Sequence, residues 1–170
     1  MEVYLFRHGI AEARRAGRTD AERKLTEDGK RKLRQVLARA RAAKAEPSLI
    51  LTSPLTRAVE TAEIAAEVLR YQGAIVPADA LLPSSSPRAV WRELGARTGE
   101  RAVLLAGHEP LLSETASYLL GASRVVVELK KGALLRVDLE TTSGEPRGVL
   151  QWLLTAKLAA KPDTPDSEGG

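Results

Sequence analysis

The chain has 170 residues and a net charge of +4, and 44% of its residues are hydrophobic and 28% charged. This length suits one domain with its own buried core, and the composition is typical of a globular protein. The absence of cysteine excludes disulfides, iron–sulfur clusters, thiolate zinc sites and cysteine nucleophiles, and two histidines are too few for a polyhistidine metal site. The small positive excess is compatible with an anionic ligand, but it does not indicate nucleic acid.

The sequence gives no indication of membrane association or export. No apolar run approaches the roughly 20 residues that a membrane-spanning helix needs. The N-terminal segment has an acid at position 2 and lacks the basic region of a secretion signal. We therefore expect a cytoplasmic protein.

Strands and helices alternate from the N-terminus onward. Glu2–Phe6 predicts a buried strand, and the polar, Arg-rich segment Ile10–Lys24 predicts a loop. Thr26 is a suitable N-cap for a first helix, which must end before Pro47. Ser48–Thr52 predicts a second buried strand. The outer face of the first helix is basic and carries Lys30, Arg31, Arg34, Arg41 and Lys44.

Two Ser-Pro pairs mark the next helix starts, because serine favours the N-cap and proline the first helical position. Ser53-Pro54 predicts a second helix that stops at Gly73, and Ser86-Pro87 a third that runs to about Thr98. A fourth helix is predicted to begin at Pro110. The remaining predicted strands are Ala74–Val76, Arg101–Ala106, Val125–Leu129, Ala133–Leu139 and Gly148–Thr155.

This alternation predicts an α/β three-layer sandwich. We expect a mostly parallel central sheet with helices on both faces and one or more antiparallel strands toward the C-terminal edge. We expect one domain over residues 1–156. Lys161–Gly170 is rich in Pro, Asp, Ser and Gly, and we predict a disordered tail over residues 157–170.

Three candidate sites follow predicted strands: Arg7-His8-Gly9, Ser53–Arg57 and Gly107-His108-Glu109. In sheets of this kind, ligands bind beyond the carboxyl ends of the strands. Two of these places also begin helices, whose free N–H groups and positive dipole ends suit phosphate.

The residue types at these places suit phosphoryl chemistry. Arg7 and Arg57 could each hold phosphoryl oxygens in bidentate fashion. Neutral His8 could attack phosphorus, and His108 supplies a second donor. In a chain without cysteine, P-loop or recognisable metal cluster, histidine is the best available nucleophile.

These residues also carry a family resemblance. Leu5-Phe6-Arg7-His8-Gly9 resembles the Arg-His-Gly signature of the histidine phosphatase superfamily, also called phosphoglycerate mutase-like. Ser53–Thr61 is similar to the second motif of that family, and Gly107–Pro110 is similar to the third. Arg23–Gly29 resembles the Arg-Pro-Leu-Thr-x-x-Gly segment of the small SixA-type phosphohistidine phosphatases. The motifs occur in order and at matching spacing, from residue 1 to about residue 155.

The resemblance implies a set of roles. His8 corresponds to the nucleophile that becomes phosphorylated, and Arg7, Arg57 and His108 correspond to residues that bind the phosphoryl group. Arg23 matches an arginine near the pocket, with plain surface charge as the alternative. The resemblance implies neither a metal nor an organic cofactor.

One feature departs from the larger members of the family, which place a general acid after the third strand. The matching stretch here, Leu81–Ser86, has no carboxylate, although Asp79 and Glu93 flank it. Alkoxide leaving groups need such an acid, which is worth roughly 10²–10⁴-fold in rate. The imidazole of phosphohistidine leaves far more easily. The missing acid therefore favours phosphohistidine on a phosphorelay or phosphotransfer protein as the substrate.

Two alternatives stay open at this point. One is a small-molecule phosphomonoesterase of the same superfamily, and the other is a non-catalytic basic module that binds phosphate or a partner. We expect a phosphorylated protein and phosphate as partners, and no nucleic acid or membrane. The basic face of the 26–45 helix is either a solvated surface or a docking surface for an acidic partner.

Overall fold

The computed structural model describes residues 1–14, 17, 19–122 and 125–160. Within them, one six-stranded sheet has the order β3-β2-β4-β1-β5-β6. Its strands are β1 (Glu2–Arg7), β2 (Leu49–Thr52), β3 (Ile75–Pro77), β4 (Ala102–Gly107), β5 (Leu134–Leu139) and β6 (Gly148–Leu154). The helices are α1 (Glu27–Ala42), α2 (Thr56–Leu69), α3 (Pro87–Gly95), α4 (Leu111–Leu119) and α5 (Ala156–Ala159). Short 3₁₀ turns occur at Asp20–Glu22 and Asp79–Leu81.

The sheet is mixed, as the sequence predicts. Strands β3, β2, β4 and β1 are parallel, whereas β5 pairs antiparallel with β1 and β6 pairs antiparallel with β5 at the edge. The predicted α/β sandwich with antiparallel strands toward one edge is therefore confirmed.

Helices cover both faces of the sheet, and each face has its own buried cluster. Alternate residues of β1 point to opposite faces, so that Val3 and Leu5 join the cluster under α3 and α4, and Tyr4 and Phe6 join the one under α1 and α2. All four side chains are fully buried. This double burial explains why β1 is apolar along most of its length.

The predicted strand Val125–Leu129 is wrong, because these residues form no regular secondary structure. Both positions beside β1 are already filled, by β4 on one side and β5 on the other. The segment instead passes the carboxyl end of β1. There the backbone carbonyl of Leu129 accepts a hydrogen bond from Arg7 Nη1 at 2.6 Å.

The second helix begins later than the sequence predicts. Leu55 is the N-cap, Thr56 is the first helical residue, and the helix ends at Leu69 rather than at Gly73. Ser53 is drawn away from the capping role because its hydroxyl contacts His108 Nε2 at 2.8 Å.

The N-caps predicted for two other helices are confirmed. The hydroxyl of Thr26 accepts the N–H of Gly29 at 3.0 Å at the start of α1, and the hydroxyl of Ser86 accepts the N–H of Ala89 at 3.3 Å at the start of α3. Helix α3 ends at Gly95, three residues before the predicted end.

The tail predicted from residue 157 does not begin there. Residues 157–159 belong to α5, and Ala159 is buried against the cluster that contains α1. The apolar side chain of Ala159 packs against the core, and the polar composition of the C-terminal segment did not indicate this contact. The remainder of the predicted tail, residues 161–170, lies outside the described residues. In the part of the chain that is described, no helix has the length and apolar character to cross a membrane.

Candidate active site

The sheet topology brings the three predicted strand ends together. Strands β2, β4 and β1 are neighbours, and Arg7 at the end of β1 is in register with Gly107 at the end of β4. The N–H of His8 donates to Gly107 O at 3.0 Å, and the N–H of Ser53 donates to Ala106 O at 2.9 Å. The rings of His8 and His108 consequently lie 5.0 Å apart, centroid to centroid.

The backbone determines which nitrogen of His8 is free to react. The Nδ1 atom lies 2.7 Å from the carbonyl oxygen of Gly9, which can only accept a hydrogen bond. Nδ1 therefore carries the proton of the neutral ring, and Nε2 carries the lone pair. Arg57 Nε donates to that Nε2 at 3.3 Å.

Both histidines are neutral at ordinary pH. Burial lowers the pKa of His8 to about 4, and the positive charges of Arg57 and Arg7 act in the same direction. Burial also lowers the pKa of His108 to about 3, with His8 and Arg57 contributing. His8 is 8% exposed and His108 is 2% exposed. The site thus holds two neutral imidazoles, each with a single ring proton, beside cationic guanidinium groups.

The second histidine is oriented by Ser53. The Ser53 hydroxyl accepts the N–H of Leu55 at 3.4 Å and contacts His108 Nε2 at 2.8 Å. This arrangement favours donation of the serine proton to Nε2 and leaves the ring proton on Nδ1. His108 Nδ1 is buried and has no hydrogen-bond partner among the described residues. It is available as a donor to an oxyanion.

Arg57 enters the site from the first turn of α2 and is only 5% exposed. The next turn of the same helix holds the loop that follows His8, because the hydroxyl of Thr61 accepts the N–H of Gly9 at 3.3 Å and donates to Arg57 O at 2.7 Å. Helix α2 therefore positions the guanidinium and the histidine loop together.

Arg7 is held by the segment that precedes β5. Its Nη1 donates to Leu129 O, and the N–H of Gly132 contacts the carbonyl oxygens of Arg7 and His8 at 3.2 and 3.1 Å. Arg7 Nε is buried and unpartnered within the part of the chain that is described. Leaving a buried donor unpaired costs free energy. The N–H of Arg7 Nε and that of His108 Nδ1 therefore favour the binding of a ligand with acceptor oxygens.

Asp20 is the residue at the site that the sequence did not identify. Its Oδ2 lies 2.9 Å from Arg57 Nη2, and its carbonyl oxygen accepts from Arg57 Nη1 at 2.8 Å. Its Oδ1 lies 2.9 Å from Arg23 Nη1 and 3.2 Å from Arg14 Nε. Hydrogen bonds from Arg23 above all, together with the charge of Arg57, lower the pKa of Asp20 to about 2.

Arg23 is therefore connected to the pocket through Asp20, and its Nε donates to Glu12 O at 2.7 Å. The structure brings Arg7, His8, Arg57 and His108 into direct proximity. Arg23 lies further from the pocket and contacts it through the Asp20 carboxylate. The sequence around Asp20 predicts only local structure. Thr19 and Glu22 form a capping box for a short turn, and this pattern does not indicate where the Asp20 carboxylate points.

Two acids near the candidate sites are held by residues four positions further along the chain. Glu93 pairs with Arg97 at 2.9 Å, and Glu109 accepts from the hydroxyl of Ser113. Asp79 lies in the 3₁₀ turn after β3. The described residues contain no group of three or more His, Asp or Glu arranged to hold a metal ion.

Comparison with known proteins agrees with this geometry. The family model of the histidine phosphatase superfamily (branch 1) matches residues 3–81. An uncharacterized protein of Picosynechococcus sp. is 35% identical over 140 residues, which cover 79% of this chain and 83% of that protein.

Solved structures extend the match over the whole fold. The protein histidine phosphatase SixA, in complex with tungstate, has a TM-score of 0.83 and 26% identity, covering 92% of this chain and 98% of that one. An α-ribazole-5′-P phosphatase structure from Escherichia coli has a TM-score of 0.67 and 17% identity over 92% of this chain and 98% of that one. At that identity it shows the fold alone. The chain belongs to the histidine phosphatase superfamily and is a phosphatase of that superfamily.

Proposed function

We propose that this protein is a metal-independent phosphohistidine phosphatase that removes the phosphoryl group from a histidine of a partner protein. The observation that carries the proposal has two parts. His8 is neutral and bears a lone pair on Nε2, and the carboxyl group of Asp20, on the other side of Arg57, is already ionised. The site has a nucleophile and cations, and its nearest carboxylate carries no proton to give to a leaving group.

The first chemical step is transfer of the phosphoryl group to His8. The Nε2 lone pair forms a bond to phosphorus while the bond from phosphorus to the leaving imidazole nitrogen breaks. Arg7 and Arg57 balance the negative charge on the phosphoryl oxygens, and His108 Nδ1–H donates to one of them. The departing imidazole takes a proton from water.

The second step is hydrolysis of the phosphoenzyme. Water attacks phosphorus, the bond to His8 Nε2 breaks, and inorganic phosphate leaves as the water proton passes to solvent. Because burial keeps the His8 pKa low, the ring returns to its neutral, reactive form after each turnover. All the groups in this cycle are side chains of the chain itself, so we propose no metal and no organic cofactor.

The buried, unpartnered donors support a phosphoryl ligand. Arg7 Nε and His108 Nδ1 lack partners among the described residues, and a tetrahedral oxyanion offers several acceptor oxygens. The SixA structure that is similar to this one was solved with tungstate, which is also a tetrahedral oxyanion.

The choice of phosphohistidine rests on the leaving group. A carboxyl group with a pKa of about 2 is ionised at neutral pH and is a poor proton donor. Alkyl phosphates need such a donor, whereas phosphohistidine does not. The segment between β3 and β4 also forms no lid, because α3 packs on the sheet through Val90, Trp91 and Leu94. A protein side chain can thus approach the site.

The second candidate is a small-molecule phosphomonoesterase, which the shared fold of the α-ribazole-5′-P phosphatase keeps open. Activity on one panel separates the two: a phosphohistidine protein, a phosphoserine peptide, p-nitrophenyl phosphate and simple sugar phosphates, each with and without EDTA. We expect EDTA-resistant cleavage of the phosphohistidine protein at the highest kcat/KM, with His8→Ala as the inactive control. A sugar phosphate cleaved faster than the phosphohistidine protein would overturn the proposal. A folded chain that binds phosphate and turns over nothing would instead indicate a binding module.

A further inference from the structure

A basic cleft lies beside the catalytic pocket. Its volume is about 730 Å³, and the cations on its walls are Arg7, Arg31, Lys32, Lys130, Lys131 and Lys157. Among the described residues, Glu128 is the one carboxylate in the lining. The cleft is formed by the start of α1, the segment before β5, and α5.

The cleft is continuous with the site because Arg7 belongs to both. Lys131 also lies near enough to His8 for its charge to act on the ring, where it lowers the His8 pKa in the same direction as the arginines. The backbone of the next residue, Gly132, contacts the His8 carbonyl. A ligand with its phosphoryl group at His8 therefore has this cleft directly alongside.

The positive charge of the cleft is only partly compensated. Arg31 and Lys32 both contact the one carboxylate of Asp28, and Lys130 lies 3.7 Å from Glu128. Within the part of the chain that the structure describes, these two acids pair with three of the six cations. Most of this charge is at the surface, where it favours an acidic partner by steering and by specificity more than by affinity.

We propose that this cleft docks an acidic segment of the phosphorylated protein, next to its phosphohistidine. This inference rests on the proposed function and adds that the partner protein carries acidic residues beside its phosphohistidine. The lining also includes Ile10, Ala156 and Ala160, which suit the aliphatic portions of a peptide. Among the described residues, no aromatic side chain lines the cleft, so this lining lacks the stacking platform of a single-stranded nucleic-acid site.

Paired peptides test the proposal. One phosphohistidine peptide carries glutamates on both sides, and its partner has glutamine at the same positions. We expect the wild-type protein to prefer the glutamate peptide in kcat/KM by about tenfold at low ionic strength, with the preference falling as salt is added. Equal kcat/KM for the two peptides would overturn the proposal.

Reversing the charge of two cleft lysines tests whether the cleft is the source of the preference for the glutamate peptide. The double variant Lys32→Glu/Lys157→Glu should lose the preference for the glutamate peptide and keep p-nitrophenyl phosphate turnover within about twofold, because neither residue touches His8 or its arginines. The control is Lys44→Glu, at an exposed position beyond the opposite end of α1, roughly 18 Å along the helix from Lys32. It should retain the preference. Retention of the preference by the double variant would contradict the assignment.

A binding measurement separates this proposal from the proposed function. Fluorescence anisotropy with the unphosphorylated glutamate peptide requires no turnover, and its binding should be lost in the double variant and retained in Lys44→Glu. If phosphohistidine peptides are not cleaved but this pattern holds, the function fails and the docking site stands. If the double variant instead impairs only a small bisphosphorylated substrate, the cleft holds a second phosphate and the proposal is wrong.

Discussion

A backbone carbonyl fixes the tautomer of His8, where many reactive histidines rely on a carboxylate. The contact from Nδ1 to Gly9 O leaves Nε2 unprotonated without introducing a negative charge next to the incoming phosphoryl group. Burial keeps the ring neutral, and Arg57 already lies against Nε2. In the mechanism that we propose, the nucleophile His8 and the charge-balancing Arg57 are thus in position before substrate arrives.

Asp20 pairs with Arg57, so in the proposed site it is an internal anion that would compete with phosphate for this guanidinium. The variant Asp20→Asn should therefore bind inorganic phosphate about 3–10-fold more tightly, because the guanidinium loses a charged neighbour. The inhibition constant for phosphate is the measurement. Glu67→Gln is a matched control that removes one negative charge from the exposed pair with Arg34, and it should leave the constant unchanged. Weaker phosphate binding in Asp20→Asn would mean that Asp20 holds Arg57 in its productive position.

The ionised state of Asp20 also predicts a steep dependence on the leaving group. Single-turnover rates should fall sharply as leaving-group pKa rises, so that phosphohistidine and aryl phosphates react and alkyl phosphates hardly do. A shallow slope would show that an acid is supplied. The carboxyl groups to neutralise first would then be Asp20, Asp79, Glu93 and Glu109.

At the scale of elements, the start of α1 supports the loop that follows His8. The carbonyl oxygen of Ile10 accepts the N–H and the hydroxyl of Thr26 at 2.9 and 3.2 Å, and Gly29 packs against the same peptide. A side chain at position 29 would clash with the Ile10 backbone, which cannot move without shifting the histidine loop.

Replacing this glycine should thus affect both stability and activity. We expect Gly29→Ala to lower the free energy of unfolding by about 1–3 kcal/mol and to lower kcat/KM, since the strain is passed to a segment two residues from His8. Urea denaturation and steady-state kinetics check the two effects. Gly99→Ala is the control, because a Cβ there meets nothing within 4 Å. If Gly29→Ala and Gly99→Ala change stability and kcat/KM equally, the start of α1 does not support the histidine loop.

The elements also show where local sequence patterns mislead. The Ser53-Pro54 pair looked like a helix start, but the Ser53 hydroxyl is used by His108 and the helix begins at Thr56. Val125–Leu129 has the composition of a strand, yet both positions beside β1 are already filled, by β4 and β5. In both cases, a tertiary contact outweighs a local preference that is worth about 1 kcal/mol.

At the scale of the whole molecule, the sheet and the meeting of three strand ends could be predicted because buried strands have a strong apolar signal. Arg7, His8, Arg57 and His108 each follow such a strand within a few residues, so topology alone brings them together. Asp20 could not be predicted in the same way. It lies in a polar loop whose position depends on long-range contacts with Arg57 on α2.

The two buried histidines make stability depend on pH. Their folded-state pKa values, about 4 and about 3, lie below the ordinary value of 6.5, so the unfolded chain binds more protons in between. Stability therefore rises with pH through this window and is lost as pH falls. We expect the free energy of unfolding to drop by about 2 kcal/mol between pH 6 and pH 5.

Urea denaturation across this range measures the slope. The chain has only these two histidines, so His8→Ala should reduce the slope by about half even if its absolute stability differs. A slope that is unchanged in the variant would mean that His8 is not buried in its neutral form.

The central claim is that His8 carries the phosphoryl group during turnover. Rapid-quench experiments with a ³²P-labelled phosphohistidine protein test it directly, since phosphohistidine is stable in alkali and labile in acid. We predict an alkali-stable, acid-labile label that appears and decays at the rate of turnover, maps to the peptide containing His8 and is absent from His8→Ala. Label on another residue, or full turnover by His8→Ala, would contradict the account.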